Sequence, residues 1–474
     1  MKMTTLTVKA VTAVLLGAGL LTGCTMIPDY HRPALPTATQ FPTDAKAPAE
    51  QGAPQATLIA WKSFYRDASL QQIIGLALEN NRDLRISILN IESAQAQYRI
   101  QRADLLPTLS AEAGGTVERY PTSVSPTGAS EVAHDYSVNG AVASYELDLF
   151  GRVRSLSQQA LQTYFATEET RKAAQIALIS SVATAWFTFQ ADANLHDLTR
   201  QTLVNERAAY QIEQDAYNEG TASLVDLEQA EITVRTAEAN LSLYERQMRQ
   251  DVNELTLLVG APIPGDLLKR RYMQDIVLND ALSAGVPSDL LMRRPDIAAA
   301  EANLKAANAN IGAARAAFFP RIALTASGGT ASATLHGLFG ADSLAWSFAP
   351  TISVPIFNYG RNRANLDVAK INKQIEIATY QKAIQTAFRE VADALDGRET
   401  YKTQQAAQVL LVAASSKAYD LSQERYREGI DGYLDVLVSQ RLLYTSQQDL
   451  IKLQLLHASN TLSLYGALGG GWNE

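Results

Sequence analysis

A single cysteine in 474 residues leaves no intrachain disulfide and no multi-thiolate metal site. Five scattered histidines, at positions 31, 134, 196, 336 and 457, have no spacing that would build a metal centre. Charged residues make up only 19% of the chain, acids outnumber bases 49 to 41 for a net charge of −8, and the pI is near 5.4. Without an extended Lys/Arg run, the electrostatic basis for holding a phosphate backbone is missing, so no nucleic-acid partner is expected. There is no phosphate-cradling glycine loop and no nucleophile with a companion base, which argues against an enzyme and against a bound cofactor. What remains is a chain 47% hydrophobic and long enough for a large core or several domains.

The N-terminus is specific. Lys2 and Lys9 precede an apolar stretch from Ala10 to Leu21, too short to anchor stably across a bilayer and patterned as a secretory signal peptide over 1–23. The stretch ends in Leu21-Thr22-Gly23-Cys24. That ending resembles the bacterial lipobox, which implies a covalent N-terminal lipid, diacylglycerol and N-acyl, on Cys24. Acyl chains bury CH₂ groups in the membrane and tether the mature N-terminus there. Asp after the cysteine usually marks inner-membrane retention, and Thr25 implies the outer membrane instead. From 24 to 57 the chain carries Pro28, Pro33, Pro36, Pro42, Pro48 and Pro54 with few large apolar residues, which predicts an extended tether.

The rest is an internal duplication. Asp83 and Pro107 recur 213 residues later as Asp296 and Pro320. Gly151-Arg152, Gln214, Tyr217, Gly220, Asp226 and Gly260 recur 209 residues later as Gly360-Arg361, Gln423, Tyr426, Gly429, Asp435 and Gly469. The boundaries read as repeat 1 over 58–261, a linker over 262–293, repeat 2 over 294–470 and a tail over 471–474. Two repeats are too few for a self-stacking solenoid, so each chain is expected to supply part of a barrel or bundle closed by other chains.

Within each copy the helical period dominates. From Arg152 to Glu219 there are 68 residues without Gly or Pro, enough for a helix of about 100 Å. A second run to Val259 places Leu227, Val234, Leu241, Met248 and Leu255 seven apart, a coiled-coil seam. Val436, Leu443, Leu450 and Leu464 repeat the seam in the second copy, with His457 interrupting it. Gly220 and Gly429 stand where the first helix of each pair must end, so the tips of two helical hairpins fall at about 220–226 and 429–435. Ala173 to Ala191 carries no charge, but its repeat counterpart contains Arg389, Glu390, Asp393 and Asp396, and it reads as a buried part of the long helix.

Other segments alternate with period two. Leu344, Trp346, Phe348, Ile352, Val354 and Ile356 alternate with small or polar residues, and Ala141, Ala143, Tyr145, Leu147 and Leu149 do so in the first copy. Each copy thus predicts one β-hairpin, at about 107–150 and 320–358. Pro107 and Pro320 mark helix-to-strand transitions, and Gly151 and Gly360 the return to helix. Four strands cannot close a barrel, and a sheet edge cannot stand open in lipid.

The run Pro287-Ser288-Asp289-Leu290-Leu291-Met292-Arg293-Arg294-Pro295-Asp296, followed by Ile311-Gly312 and Phe319-Pro320, resembles outer-membrane factors of the TolC superfamily, in particular the OprM/NodT-like lipoprotein branch of resistance-nodulation-division efflux systems. The resemblance implies an α+β membrane protein. In it a homotrimer forms one 12-stranded outer-membrane β-barrel, four strands per chain, continued by a long periplasmic α-helical barrel of coiled-coil hairpins. It implies the exit duct of a tripartite multidrug efflux pump, passively conducting small toxic compounds, with a periplasmic adaptor and an inner-membrane transporter as partners. The alternatives are a duct for polypeptide (type I) secretion and a non-pore structural coiled-coil lipoprotein.

The resemblance also places a periplasmic gate at the hairpin tips, with Asp226, Asp431, Asp435, Tyr217 and Tyr426 as candidates and Gly220, Gly429 and Gly432 in the turns that meet the adaptor. A ring of Asp435 residues around a threefold axis would attract cations. Locally, Asp226 follows Ser223 at capping-box spacing and Asp435 lies in a first helical turn, where a carboxylate is stabilising in its own right. Asp431 occupies a position that is basic in TolC, where it can pair with the acid matching Asp226, so the closing contacts here must differ.

Overall fold

The computed structural model describes residues 25–38, 41, 59–125, 128–278, 282 and 294–472. The signal peptide, Cys24, much of the 262–293 linker and all but the last three residues of the Pro287–Asp296 run therefore lie outside the described residues. After a helical turn at Trp61–Phe64, the elements are α1 (Ala68–Asn80), α2 (Arg82–Ala103), β1 (Leu109–Tyr120), β2 (Glu131–Leu147), α3 (Arg152–Asn218) and α4 (Leu224–Val259). The second half repeats the plan with α5 (Pro295–Ala316), β3 (Arg321–Ser332), β4 (Leu344–Ser353), α6 (Arg361–Arg427) and α7 (Tyr433–Ala467). The two long helices, α3 and α6, are each 67 residues without interruption. Contacts divide the chain into two compact units, each drawing on both sequence copies.

The first unit, built on 90–167 and 299–380 with residues before Ala34, carries the sheet. Its order is β1-β2-β3-β4, antiparallel throughout. The two copies therefore meet at the β2–β3 pairing, and β1 and β4 are the free edges. Register sorts the side chains by face. Leu109, Val142, Val138, Leu147, Ile322, Leu324, Ala326, Ile352, Phe348 and Trp346 share one side. Asn139, Ser137, Thr325, Ser327 and Ser347 share the other, where Ser327 and Ser347 join hydroxyls at 2.9 Å. The apolar side stands bare in one chain: Trp346 is 77% and Ile352 66% exposed.

The simple alternation expected for β2 does not hold along its whole length. Register shifts between Val142 and Tyr145, an extra residue that reverses the parity of everything before it. Ala141 thereby faces away from Tyr145 and Leu147, and Val142 takes the apolar side in its place. At the sheet's base Glu146 binds both Arg152 (2.8 Å) and Arg321 (2.7 Å), while Asp148 accepts from the backbone amides of Val153 and Arg154 at 3.0 and 2.8 Å. Pro107 and Pro320 lie just outside β1 and β3, and Gly151 and Gly360 take φ of +74° and +81° where strand returns to helix.

The second unit holds the main helical core. The uncharged part of α3 buries Ile179, Val182, Trp186 and Phe187. Among the described residues no helix is long and apolar enough to cross a membrane. Phe64 stacks on Tyr465 with ring centres 3.9 Å apart, and the Tyr465 hydroxyl donates to the Ile59 carbonyl at 2.6 Å. The α4 seam buries Leu227, Val234 and Leu255 with Ala230, Ala237 and Tyr244. Arg294, with a side chain 10% exposed, binds Asp296 at 2.6 Å and Glu390 at 2.7 Å, which gives the charge two partners in place of water.

Candidate functional site

The two hairpin tips are built from similar sequence by different contacts. In the first, α3 stops at Asn218 and Gly220 takes φ +78°, a left-handed conformation open to glycine at little steric cost. Ser223 then caps α4. Its Oγ accepts from the Asp226 amide at 3.2 Å, and Asp226 Oδ2 accepts from the Ser223 amide and hydroxyl at 3.3 and 2.6 Å. The Asp226 carboxylate is thus engaged by its own helix terminus, whose positive end favours it.

In the second tip Gly429 takes φ +70° and Gly432 is the N-cap of α7 without a side-chain cap. Asp435 lies in the first turn of α7. Asp431 is held by Arg425, whose Nη2 donates to Oδ1 at 2.8 Å while Nε donates to Oδ2. This two-point pairing keeps the Asp431 carboxyl below the usual carboxylate range. The chain thus supplies a basic partner within the same turn, six residues before the acid.

The two tyrosines related by the repeat part company. Tyr217 is 40% exposed. Tyr426 turns inward, and its hydroxyl donates to Glu213 Oε1 at 2.6 Å across 213 residues of sequence. Its ring lies 5.4 Å from that of Tyr433 and packs on a core of Ala230, Tyr433, Val436 and Leu437. Burial, and then the bond to Glu213, push the Tyr426 phenol well above its ordinary range. Glu213 is 1% exposed, and one turn pair earlier Glu206 is 5% exposed. Burial raises the Glu206 carboxyl, with a bond from Thr233 opposing the shift. Each carboxyl has one oxygen, Oε2, without a hydrogen-bond partner among the described residues.

Of the residues singled out from sequence, the fold places Asp226 with Ser223, Asp431 with Arg425, and Tyr426 with Glu213. Asp435 sits in the first turn of α7, and Tyr217 remains at the surface. Arg425, Glu206 and Glu213 were not singled out. One signal was available: at the 209-residue offset Glu206 and Glu213 stand opposite Ser415 and Ser422, a departure from the repeat at positions that face the core.

Higher on the helical part, Asp251 of α4 is 9% exposed and lies against Asp192 of α3. Burial, followed by the charge of Asp192, pushes the Asp251 carboxyl up to about 7.

Residues 73–261 and 286–470 match the model of a family described as outer membrane efflux protein. The chain is 50% identical over 457 residues to the solvent efflux pump outer membrane protein SrpC of Pseudomonas putida, covering 96% of this chain and 97% of that one. It is 48% identical to the antibiotic efflux pump outer membrane protein ArpC of the same species, over 98% of this chain and 95% of the relative. Among solved structures, the open state of the MtrE outer membrane channel of Neisseria gonorrhoeae superposes with a TM-score of 0.87 at 40% identity, covering 95% of this chain and 99% of that one.

Proposed function

The chain belongs to the outer membrane efflux protein family, and from that premise we infer that it is an exit duct for small toxic compounds, organic solvents and antibiotics among them, as the names of its relatives suggest. The observation that carries the reading is the sheet. Four antiparallel strands with a bare apolar face and two unpaired edges are unstable in water and forbidden in lipid until other copies close them into a barrel. Three copies give the 12-stranded count. The opposite face, with Asn139, Ser137, Thr325, Ser327 and Ser347, is of the polar kind that lines a water-filled lumen.

The finer reading adds an acyl anchor on Cys24, a periplasmic adaptor that meets the tips around Gly220, Gly429 and Gly432, and an inner-membrane resistance-nodulation-division transporter that supplies the energy. The duct does no chemistry. Its working parts are a hydrated passage and a constriction at the tips, held by contacts that differ between the two hairpins.

The test is single-particle electron microscopy of the detergent-extracted protein together with planar-bilayer conductance. A hollow threefold tube that conducts ions supports the duct. A solid rod without conductance refutes it and favours a structural lipoprotein.

A further inference from the structure

The duplication builds one joint inside the chain and leaves the two halves of a second joint bare. The inner joint lies where β2 ends beside the start of β3. There Leu147 stands opposite Ile322 in register, and just beyond the strands the ring of Phe150 stacks on that of Phe319 with centres 4.7 Å apart. Ion pairs fasten the same joint. Glu146 of β2 binds Arg321 of β3 across it and Arg152 of α3 behind it, while Asp148 binds Arg154 at 3.1 Å.

The offsets of the repeat carry these positions to the free edges of the sheet. At 209, Leu147 and Phe150 become Ile356 and Tyr359, in the turn between β4 and α6; at 213, Ile322 and Phe319 answer to Leu109 and Leu106, where α2 passes into β1. In the single chain these four are each at least 71% exposed, whereas Leu147 and Ile322 are half-buried. β4 also stops at Ser353, three residues short of Ile356, the position that matches the end of β2. The charges do not recur. Glu146 and Asp148 give way to Pro355 and Phe357, and Arg321 to Thr108, so Arg361 and Arg363 have no counterparts of the acids that hold Arg152 and Arg154.

The backbone at Tyr359 adds a separate observation. Its φ is +53°, and among the described residues it is the one non-glycine in the left-handed region. That conformation is costly for a side chain with a Cβ and persists where contacts hold it. Within the chain the ring lies 6.1 Å from that of Phe357, and both rings stand in the open. The contacts that would hold Tyr359 in this conformation therefore have to come from another molecule.

We propose that the turn between β4 and α6 is a docking knob for a second copy of this chain, Ile356 seating on Leu109 of the partner subunit and Tyr359 on Leu106 of the partner subunit. The inference rests on the closure of three copies into one barrel and adds to it a contact that reaches past the strands. Ile356 and Leu109 of the partner subunit make a cross-strand pair, as Leu147 and Ile322 do inside the chain. Lipid would also receive bare apolar side chains, but the matching residues Leu147 and Phe150 face protein, which favours a second copy. The two joints thus differ in kind. The one inside the chain is fastened by ion pairs, and the one between copies by groups that gain from leaving water.

Full-length protein in outer-membrane vesicles, carrying the photo-crosslinker benzoylphenylalanine in place of Tyr359, reads the contact directly. Irradiation should give a species of two chain masses in denaturing electrophoresis, with residue 359 joined to the tryptic peptide 103–119. Crosslinks confined to one chain, to other peptides or to lipid overturn the knob. In mild-detergent native electrophoresis Ile356→Glu should reduce the three-chain species roughly tenfold or more, since it buries an unpaired carboxylate. Adding Leu109→Lys should restore most of it, which a merely misfolded chain would not allow. An undiminished three-chain species in Ile356→Glu, or a loss that Leu109→Lys leaves unchanged, overturns the contact. The parent answers the other question separately: a parent without a three-chain species refutes closure and the contact with it, whereas a three-chain parent with crosslinks elsewhere leaves closure standing and overturns the knob alone.

Discussion

Replacing Tyr426 by Phe removes a single hydroxyl and leaves the ring against Tyr433. What is lost is the 2.6 Å bond to a glutamate that is 1% exposed. Glu213 Oε2 already lacks a partner among the described residues, so the substitution leaves a buried carboxyl with neither oxygen bonded. Bonds of this charge-assisted kind are worth about 1.5 to 3 kcal/mol, and about 1.4 kcal/mol is tenfold in an equilibrium. The balance between a tip with α6 and α7 held against α3 and one in which they swing free should therefore shift roughly 10- to 150-fold per chain. In planar bilayers Tyr426→Phe should raise the resting conductance or the fraction of time spent in larger-conductance states. Tyr217→Phe, at the equivalent but exposed position, should leave both unchanged. Equal behaviour of the two variants would refute the idea that the second hairpin is fastened through Tyr426 and the first is not.

Three further outcomes follow from the same geometry. Asp251 is raised from 3.8 to about 7 in the fold, so the folded state holds its proton more tightly than the unfolded chain. Its contribution to stability is complete below about pH 4 and is lost as pH rises through 7, and Asp251→Asn should flatten the thermal stability profile across that window; a profile unchanged by the substitution would contradict the assignment. Asp435→Ala should lower the cation preference of the pore, measured by reversal potentials in a salt gradient, and unchanged selectivity would reduce Asp435 to a helix-terminal charge. Gly260→Ala should destabilise by more than the roughly 1 to 2 kcal/mol of a left-handed alanine, since a Cβ there would lie 2.5 Å from the Asn80 carbonyl oxygen, whereas Gly220→Ala meets open space and should cost only the conformational part, a difference readable in melting temperatures.

The sequence announced what depends on local periodicity. Gly220 and Gly429 stop their helices, the seam from Leu227 to Leu255 packs where its spacing puts it, and both β-hairpins follow their alternation. The exception is instructive: the irregularity between Val142 and Tyr145 reverses the faces of β2, and a bulge of one residue leaves no mark in an alternating pattern of small side chains such as Ala141 and Ala143. Contacts between distant residues were not legible. Nothing near Tyr426 says that its partner is Glu213, because a single glutamate on a 67-residue helix looks like any other solvated charge. Arg425 was hidden for the opposite reason, being near Asp431 in sequence but facing it only after Gly429 has turned the chain. The tether read as surface chain because its partners, Glu301, Asn308 and Arg315, lie 269 to 289 residues away.

The free edges of the sheet decide how copies can meet. Both strands of each hairpin are attached to helices at the same end, α2 and α3 for β1 and β2, α5 and α6 for β3 and β4. Two β1 edges could pair antiparallel only by turning one copy upside down, which would send its helices out on the wrong side of the membrane. If every copy keeps its helices on one side, β1 can be met antiparallel only by β4 of a neighbour. Each junction is then directional, uniting unlike edges, and directional junctions form rings, not pairs. The even number of strands matters for the same reason: an odd count per chain would have forced a parallel seam at every junction. Sidedness, fixed by where the helices attach, thus serves as a proofreading rule that bars head-to-head dimers before any side chain at the edge is consulted.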